Sequence, residues 1–383
     1  MRWRRELGRA RAEGRPEPAP PDLAPISLNL DLTTACNYRC DHCIDWDILN
    51  TRHRHDDAEL EASIRAMAER GLRSLILIGG GEPTLHPGFE RFVRFAKGLS
   101  LQVAVVSNGS RGERLLEIAD ALGPGDWLRL SLDAGSDELF RAMHRPVSRS
   151  LTLDEICGWV PQIKRRNPDL RIGFSYIIVW RGASRDGVAL HENIDEIVLA
   201  TERARRFGFD FIALKPVLER APGGAEVMDP AAAQEELSRV VARIRGEVEK
   251  ARTLTSDGFS VHVSTNLRVL EAGNWAELTR QPRTCHMQAL RQVLTPMGLY
   301  NCPAHRGVER ARITGRDAFA DQERAKTTGA ALAALLERFD ASQECSEVTC
   351  LYNGVNWWLE KMIEDPREDV EILPGDERLD HFL

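Results

Sequence analysis

Six apolar runs of strand length, each followed by a stretch with helical period, constrain this 383-residue chain more than any other feature. The runs fall at 26–32, 73–78, 101–106, 127–132, 171–179 and 209–214. The segments 57–70, 88–99, 111–122, 137–167, 191–207 and 231–251 carry apolar residues three and four apart, as in LEASIRAMAERG and IDEIVLATERARRFG. Six strand–helix units in succession require parallel strands and a sheet covered by helices, so the expected fold class is α/β. Curved sheets of this kind carry their chemistry at the C-terminal strand ends.

Three cysteines, Cys36, Cys40 and Cys43, follow the first run within the stretch LTTACNYRCDHC. Three thiolates on so tight a loop can hold three corners of a cubane iron–sulfur cluster and leave one iron without a protein ligand, open to a cofactor. Zinc knuckles instead present Cys-x2-Cys pairs with a fourth ligand at matching distance, and His42, adjacent to Cys43, is badly placed to close a tetrahedron.

Cys-x3-Cys-x2-Cys after a first strand, with His42 before the last cysteine, resembles the radical S-adenosylmethionine (SAM) enzymes. The resemblance implies a partial (β/α)6 barrel like an incomplete TIM barrel, which six units rather than eight match. It implies a [4Fe–4S] cluster whose free iron chelates SAM, reductive cleavage of SAM to a 5′-deoxyadenosyl radical, and a flavodoxin- or ferredoxin-type electron donor. Gly79-Gly80-Gly81-Glu82-Pro83, after the second strand, looks like the family's GGEP motif. Small residues there let backbone approach a ligand and Glu82 can accept from an ammonium group; by resemblance the segment binds the amino group of SAM. The third and fourth strands end VVSNGS and LRLSLDAG, so Ser107, Asn108, Ser131 and Asp133 are candidates for the ribose hydroxyls or methionyl carboxylate. They also suit plain helix caps. Arg145 resembles a basic residue that relatives place near the SAM carboxylate, and is equally suited to a surface position. Ser175 is expected to face the barrel interior, with Lys215 and Pro216 closing the sixth strand.

Cys285, Cys302, Cys345 and Cys350 form a second set, separated by 16, 42 and 4 residues. The first two flank a hairpin turning at Pro296-Met297-Gly298, and the second two precede LYNGVNWWLEKMI, which has helical spacing. The set resembles the shortened auxiliary-cluster domain called twitch, short of the fuller SPASM pattern, and implies one auxiliary [4Fe–4S] cluster in a small C-terminal hairpin-and-helix domain. Four thiolates also suit a tetrahedral zinc site. Cys157, in the helical segment LDEICGWV, is a candidate hydrogen-atom donor or a buried free thiol. His286 and His305 border the second set.

The expected organisation is a basic, Pro-rich, solvated arm at 1–25, the barrel at 26–255, the auxiliary domain at 256–362 and a tail at 363–383. A net charge of −7 argues against a nucleic-acid partner, since phosphate neutralisation needs a basic face. The six arginines of MRWRRELGRARAEGR precede no apolar segment, so they are no secretory signal. With no window of 18 uncharged apolar residues, and eight cysteines in a long chain, a cytoplasmic metalloprotein without a membrane anchor is expected. A fully ligated auxiliary cluster can take an electron from a substrate radical. The expected activity is oxidation or epimerisation of a sugar- or cyclitol-type small molecule in specialised metabolism. A maturase modifying a ribosomal peptide is the alternative; such enzymes commonly carry a leader-binding domain, and only 35 residues precede Cys36. An iron–sulfur or zinc protein that binds a partner without turnover is the reading from another class.

Overall fold

The computed structural model describes residues 1–185, 187–221, 224–228, 230, 237–365 and 380–383. Its centre is a ten-stranded sheet. In chain order the strands are β1 (Ser27–Leu30), β2 (Ser74–Leu77), β3 (Gln102–Ser107), β4 (Trp127–Ser131), β5 (Arg171–Ile178), β6 (Phe211–Pro216), β7 (Ser260–Val263), β8 (Arg291–Thr295), β9 (Gly298–Tyr300) and β10 (Arg312–Thr314). Across the sheet they run β7-β6-β5-β4-β3-β2-β1-β8-β9-β10. The six expected strands are the central six, all parallel, as in a partial TIM barrel.

Both edges carry additions. β7 pairs in parallel with β6, and β8 pairs in parallel with β1 before turning through the expected hairpin into β9. The barrel sheet therefore runs past residue 255, and the C-terminal segment joins it by backbone hydrogen bonds to β1.

Helices cover the outer face in the order of the sequence pattern. Helix α2 (Asp57–Glu69) starts at Asp56, whose carboxylate accepts from the Ala58 and Glu59 amides. In α3 (Phe89–Gly98), Phe89, Phe92, Val93 and Ala96 recur at three- and four-residue spacing and are all buried. The long segment 137–167 breaks into α5 (Asp137–His144), α6 (Leu153–Cys157) and α7 (Val160–Arg166). Arg145 caps α5 in the left-handed region (φ 44°), and Pro146 cannot continue a helix. Helix α4 is Gly112–Ile118, α8 is Ile197–Arg206 and α9 is Leu237–Arg252; the start of the expected segment 231–251 lies outside the described residues.

The N-terminal arm is not a solvated coil. Residues Arg2–Ala12 form helix α1, which packs on the C-terminal helix Asn353–Glu364 and buries Leu7 and Ala10. Arg4 pairs with Glu337, and the Arg5 guanidinium donates to the Met362 carbonyl at 2.9 Å. The last residues of the chain lie against the N-terminal strand ends. Ser74 donates to the His381 carbonyl (2.8 Å), and Phe382 packs on Trp127; the rest of the expected tail, 366–379, lies outside the described residues. The opposite, C-terminal end of the sheet carries the cysteine loop. No helix among the described residues is long and apolar enough to cross a membrane.

Candidate active site

The loop leaving β1 carries Cys36, Cys40 and Cys43 as free, half-buried thiols. Its backbone is pinned from outside: Cys36 N–H donates to Asn50 Oδ1 (3.0 Å), Arg39 N–H to the His144 carbonyl (3.1 Å) and Asp41 N–H to the Met143 carbonyl (2.8 Å). Burial pushes all three thiols up, Cys43 to about 12. They give up protons readily only when a metal supplies the compensating charge.

The turn after β2 lies directly on this loop. Gly79 and Gly80 have φ of 76° and 61°. A Cβ on Gly81 would sit 2.5 Å from the Ala35 carbonyl oxygen and 2.6 Å from that of Thr33, so only glycine permits this approach. Glu82 then turns inward and is almost fully buried. Its Oε1 accepts from Thr84 N–H (3.0 Å), Thr84 Oγ (2.6 Å) and Ser107 Oγ (2.8 Å), and its Oε2 from Asn108 N–H (2.7 Å). Glu82, Ser107 and Asn108 are thus brought together, but chiefly to tie the end of β2 to the end of β3. One Oε2 lone pair stays open to an ammonium donor. Pro83 opens the 3₁₀ turn Pro83–Leu85 that follows.

Asp133 and His42 meet elsewhere. His42 Nδ1 lies 2.9 Å from Asp41 Oδ1 and its Nε2 lies 3.0 Å from Asp133 Oδ2. Burial opposes a charged ring, yet the two carboxylates outweigh it and raise His42 to about 9. Burial likewise opposes ionisation of Asp133, but hydrogen bonds from His144 and His42 hold it well below the usual carboxylate range. Asp133 also accepts from Ile177 N–H (2.7 Å) and adopts φ 51°. His144 completes the group: its Nδ1 is 3.1 Å from Cys40 Sγ and its Nε2 is 2.9 Å from the Leu132 carbonyl. Among the described residues, His42, Asp133 and His144 are the one set of three ligand-type side chains converging within 4.8 Å, and their own hydrogen bonds occupy them.

On the inner face of the barrel, Arg129 and Ser131 alternate with buried Leu128 and Leu130 along β4. Ser131 is in register with buried Ser175, and Lys215 with Ile177. Burial drives Lys215 well below the usual lysine value, with Arg129 adding to the effect; burial also lowers Arg129, to about 10. Pro216 ends the strand beside them.

The second cysteine set also comes together. Cys285 precedes β8, Cys302 follows β9, Cys345 ends the short helix Ala341–Glu344 and Cys350 precedes the C-terminal helix Asn353–Glu364. All four line one cavity of about 200 Å³. Burial raises Cys285 to about 12 and Cys302 to about 11, and the neighbouring sulfurs add to it. No three of these sulfurs lie within 4.8 Å of one another. A zinc tetrahedron with Zn–S bonds near 2.3 Å needs edges of about 3.8 Å. The four thiols are thus placed around one cavity, where they could hold a metal group.

Residues 30–189 match the family model described as the radical SAM superfamily. The chain carries a radical SAM domain. The domain implies a [4Fe–4S] cluster and SAM, and the three free thiols at the end of β1 fit that requirement. A nucleotide dehydratase dependent on S-adenosylmethionine, from a Thermoplasmatales archaeon, is 34% identical over 110 residues, 28% of this chain and 38% of that protein. The GTP 3′,8-cyclase of Chlorobaculum tepidum is 34% identical over 121 residues, 31% of this chain and 36% of its own length. The mycofactocin maturase MftC of Mycobacterium tuberculosis is 34% identical over 122 residues, 30% and 29% of the two chains. The chain thus spans less than two fifths of the length of these relatives. In fold, it resembles Streptococcus suis SuiB bound to S-adenosylmethionine (TM-score 0.57, 14% identity, 84% of this chain and 68% of that one). It also resembles anSMEcpe with bound AdoMet (TM-score 0.57, 13% identity, 86% of both chains).

Some expected site residues stand apart from the radical SAM loop. Arg145 is exposed and lines an open concavity outside the barrel. Cys157 is fully buried in the apolar core, where burial raises its thiol to about 12. His286 pairs with Glu360, whereas His305 lines the second cysteine cavity. Sequence reasoning missed Arg306. Its guanidinium is buried against Asp31 (3.2 Å) at the end of β1 and Asp45 (2.7 Å), two residues beyond Cys43. Arg220 adds donors to the Ile44 and Arg306 carbonyls. The segment after Cys302 is thereby ion-paired to the radical SAM loop.

Proposed function

We propose that this protein is a radical SAM enzyme with one auxiliary [4Fe–4S] cluster. On this reading it abstracts a hydrogen atom from a sugar- or cyclitol-type small molecule and oxidises or epimerises it in specialised metabolite biosynthesis. The observation that carries the reading is the pairing of Arg306 with Asp31 and Asp45, which brings the segment after Cys302 against the loop of Cys36, Cys40 and Cys43. Cys36, Cys40 and Cys43 would hold the cluster that binds SAM. Its chemistry would be the delivery of one electron that cleaves SAM to methionine and a 5′-deoxyadenosyl radical, which becomes 5′-deoxyadenosine on taking a hydrogen atom from substrate. Gly79, Gly80, Gly81, Glu82 and Pro83 border that loop, and Ser107 and Asn108 orient Glu82. Ser131, Ser175, Arg129 and Lys215 give the barrel interior polar groups suited to a hydroxylated substrate. Cys285, Cys302, Cys345 and Cys350 would hold the auxiliary cluster, which fits acceptance of one electron from a substrate radical and a two-electron oxidation without nicotinamide.

A second reading, a maturase acting on a ribosomal peptide, is favoured by the similarity to the mycofactocin maturase over 122 residues. Deuterium transfer separates the two. Candidate sugars and cyclitols labelled at the reacting carbon should deliver deuterium to 5′-deoxyadenosine and give a product two hydrogens lighter or inverted at that carbon. Label transfer from a peptide alone, with no stimulation by sugars or cyclitols, would establish the maturase instead.

A further inference from the structure

Inside the barrel, four polar side chains on three adjacent strands share the inner face without partners of their own. The register sets their levels. Arg129 on β4 lies level with Gly173 on β5 and, through it, with Phe211 on β6; Ser131 lies level with Ser175 and Ala213, and Ile177 with Lys215. Ser131, Ser175 and Ala213 therefore make a layer of small side chains. Arg129 stands one layer below it, and Lys215 one layer above it, toward the end of the sheet that carries the cysteine loop.

The two cations are not neutralised. Among the described residues, Arg129 and Lys215 have no carboxylate partner, Arg129 Nε is buried without an acceptor, and the Ser131 and Ser175 hydroxyls make no hydrogen bond. The Arg129 guanidinium rests on the Trp127 ring, 5.3 Å from its centroid, a contact that occupies none of its five N–H donors. Asp133 acts on both cations from a distance. Its oxygens, however, are committed to His42, His144 and the Ile177 amide. Arg129 is also near enough to Lys215 to push its ammonium group down. Two like charges buried without acceptors oppose folding, and a ligand of opposite charge would supply what they lack.

Two cations match a dianion. A phosphate monoester carries a charge of about −1.5 to −2 near pH 7 and three terminal oxygens. These suit the planar fork of Arg129, the point charge of Lys215 and two hydroxyl donors. A carboxylate offers one charge and two oxygens.

Resting on the reading of this chain as a radical SAM enzyme of a sugar- or cyclitol-type small molecule, we propose that the substrate is a phosphate monoester of that class, its phosphate held in the barrel interior by Arg129, Lys215, Ser131 and Ser175. The phosphate anchors the substrate, and no bond to it is made or broken.

The test is calorimetric titration of the anaerobically reconstituted full chain with inorganic phosphate, acetate and SAM in turn. Phosphate should bind saturably at millimolar concentration, and acetate about tenfold more weakly. Arg129→Met and Lys215→Met should each weaken phosphate binding by about tenfold or more, whereas Lys215→Arg should retain most of it. SAM affinity should stay within about threefold of the wild-type value in all three. Because neither cation has a partner, neither methionine substitution should lower the urea midpoint measured without phosphate. Hexose and inositol monophosphates should stimulate 5′-deoxyadenosine formation more than the unphosphorylated compounds do, and either methionine substitution should remove that advantage. Equal phosphate affinity in wild type and both variants, or acetate bound as tightly as phosphate, would overturn the proposal. So would a loss of SAM affinity in place of phosphate affinity, since the cations would then hold the SAM carboxylate. A lowered urea midpoint would overturn it too, by showing the cations already partnered in the folded chain. Wild-type protein that binds phosphate yet forms no 5′-deoxyadenosine with dithionite and SAM would instead remove the radical SAM reading beneath it.

Discussion

Glu82→Gln is the substitution whose cost follows most directly from the geometry. The carboxylate faces four donors, three on Oε1 and one on Oε2. Glutamine keeps the size and supplies one oxygen. With that oxygen at the Oε1 position, the amide nitrogen confronts the Asn108 N–H, donor against donor, in a buried site. The reverse orientation strands three donors and is worse. A buried donor left without its charged acceptor costs about 2–3 kcal/mol. The three remaining bonds, now to a neutral oxygen, weaken further, so a total near 3 kcal/mol is expected. Urea unfolding of the metal-free protein under anaerobic conditions reads this out, with Ser107→Ala as a control expected to lose about 1 kcal/mol. SAM affinity should fall because the ends of β2 and β3 separate. A Glu82→Gln protein with the wild-type urea midpoint and weakened SAM binding would refute this reasoning. Glu82 would then act mainly as a ligand group.

Arg306→Leu should destabilise the fold by about 3 kcal/mol, because it leaves Asp31 buried without its cation and Asp45 with only the longer contact to Arg220 (3.4 Å); an unchanged urea midpoint would contradict that. His55, with Nε2 3.0 Å from the Asp31 carbonyl, is lowered by burial to about 4. The unfolded chain protonates His55 near pH 6.5 while the folded one resists until about pH 4, so stability is lost as pH falls through this window, by about 3 kcal/mol. Unfolding midpoints from pH 7 to pH 4 should show the slope, and His55→Gln should flatten it. Replacing Cys345 and Cys350 by alanine should lower bound iron from about eight to about four per chain while sparing uncoupled SAM cleavage; stoichiometric zinc after iron-replete anaerobic preparation would contradict the cluster assignment.

The parallel core was legible because β1 to β6 each carry apolar residues at strand length and a stretch with helical period follows each. β7 was not, since Ser260-Val261-His262-Val263 is short and half-buried. The β8 hairpin was visible from its turn, but its pairing with β1 joins residues some 260 positions apart, which no local pattern encodes. Helix α1 hides two buried apolar residues among five arginines, and only Glu337 and Met362, far along the chain, show which side is covered. At the site, the cysteines and the glycine turn announced themselves by spacing. The partners of His42 did not, because Asp133 and His144 arrive from a different strand and helix. Arg306 was silent for the same reason, although its place four residues beyond Cys302 and that of Asp45 two beyond Cys43 were the available signals.

The central claim is that Cys36, Cys40 and Cys43 hold a cluster that reductively cleaves SAM. Anaerobically reconstituted protein, reduced with dithionite in the presence of SAM, should form 5′-deoxyadenosine and methionine. The variant with all three residues changed to alanine should keep about half the iron and form neither product. Undiminished 5′-deoxyadenosine formation by that triple variant would contradict the account.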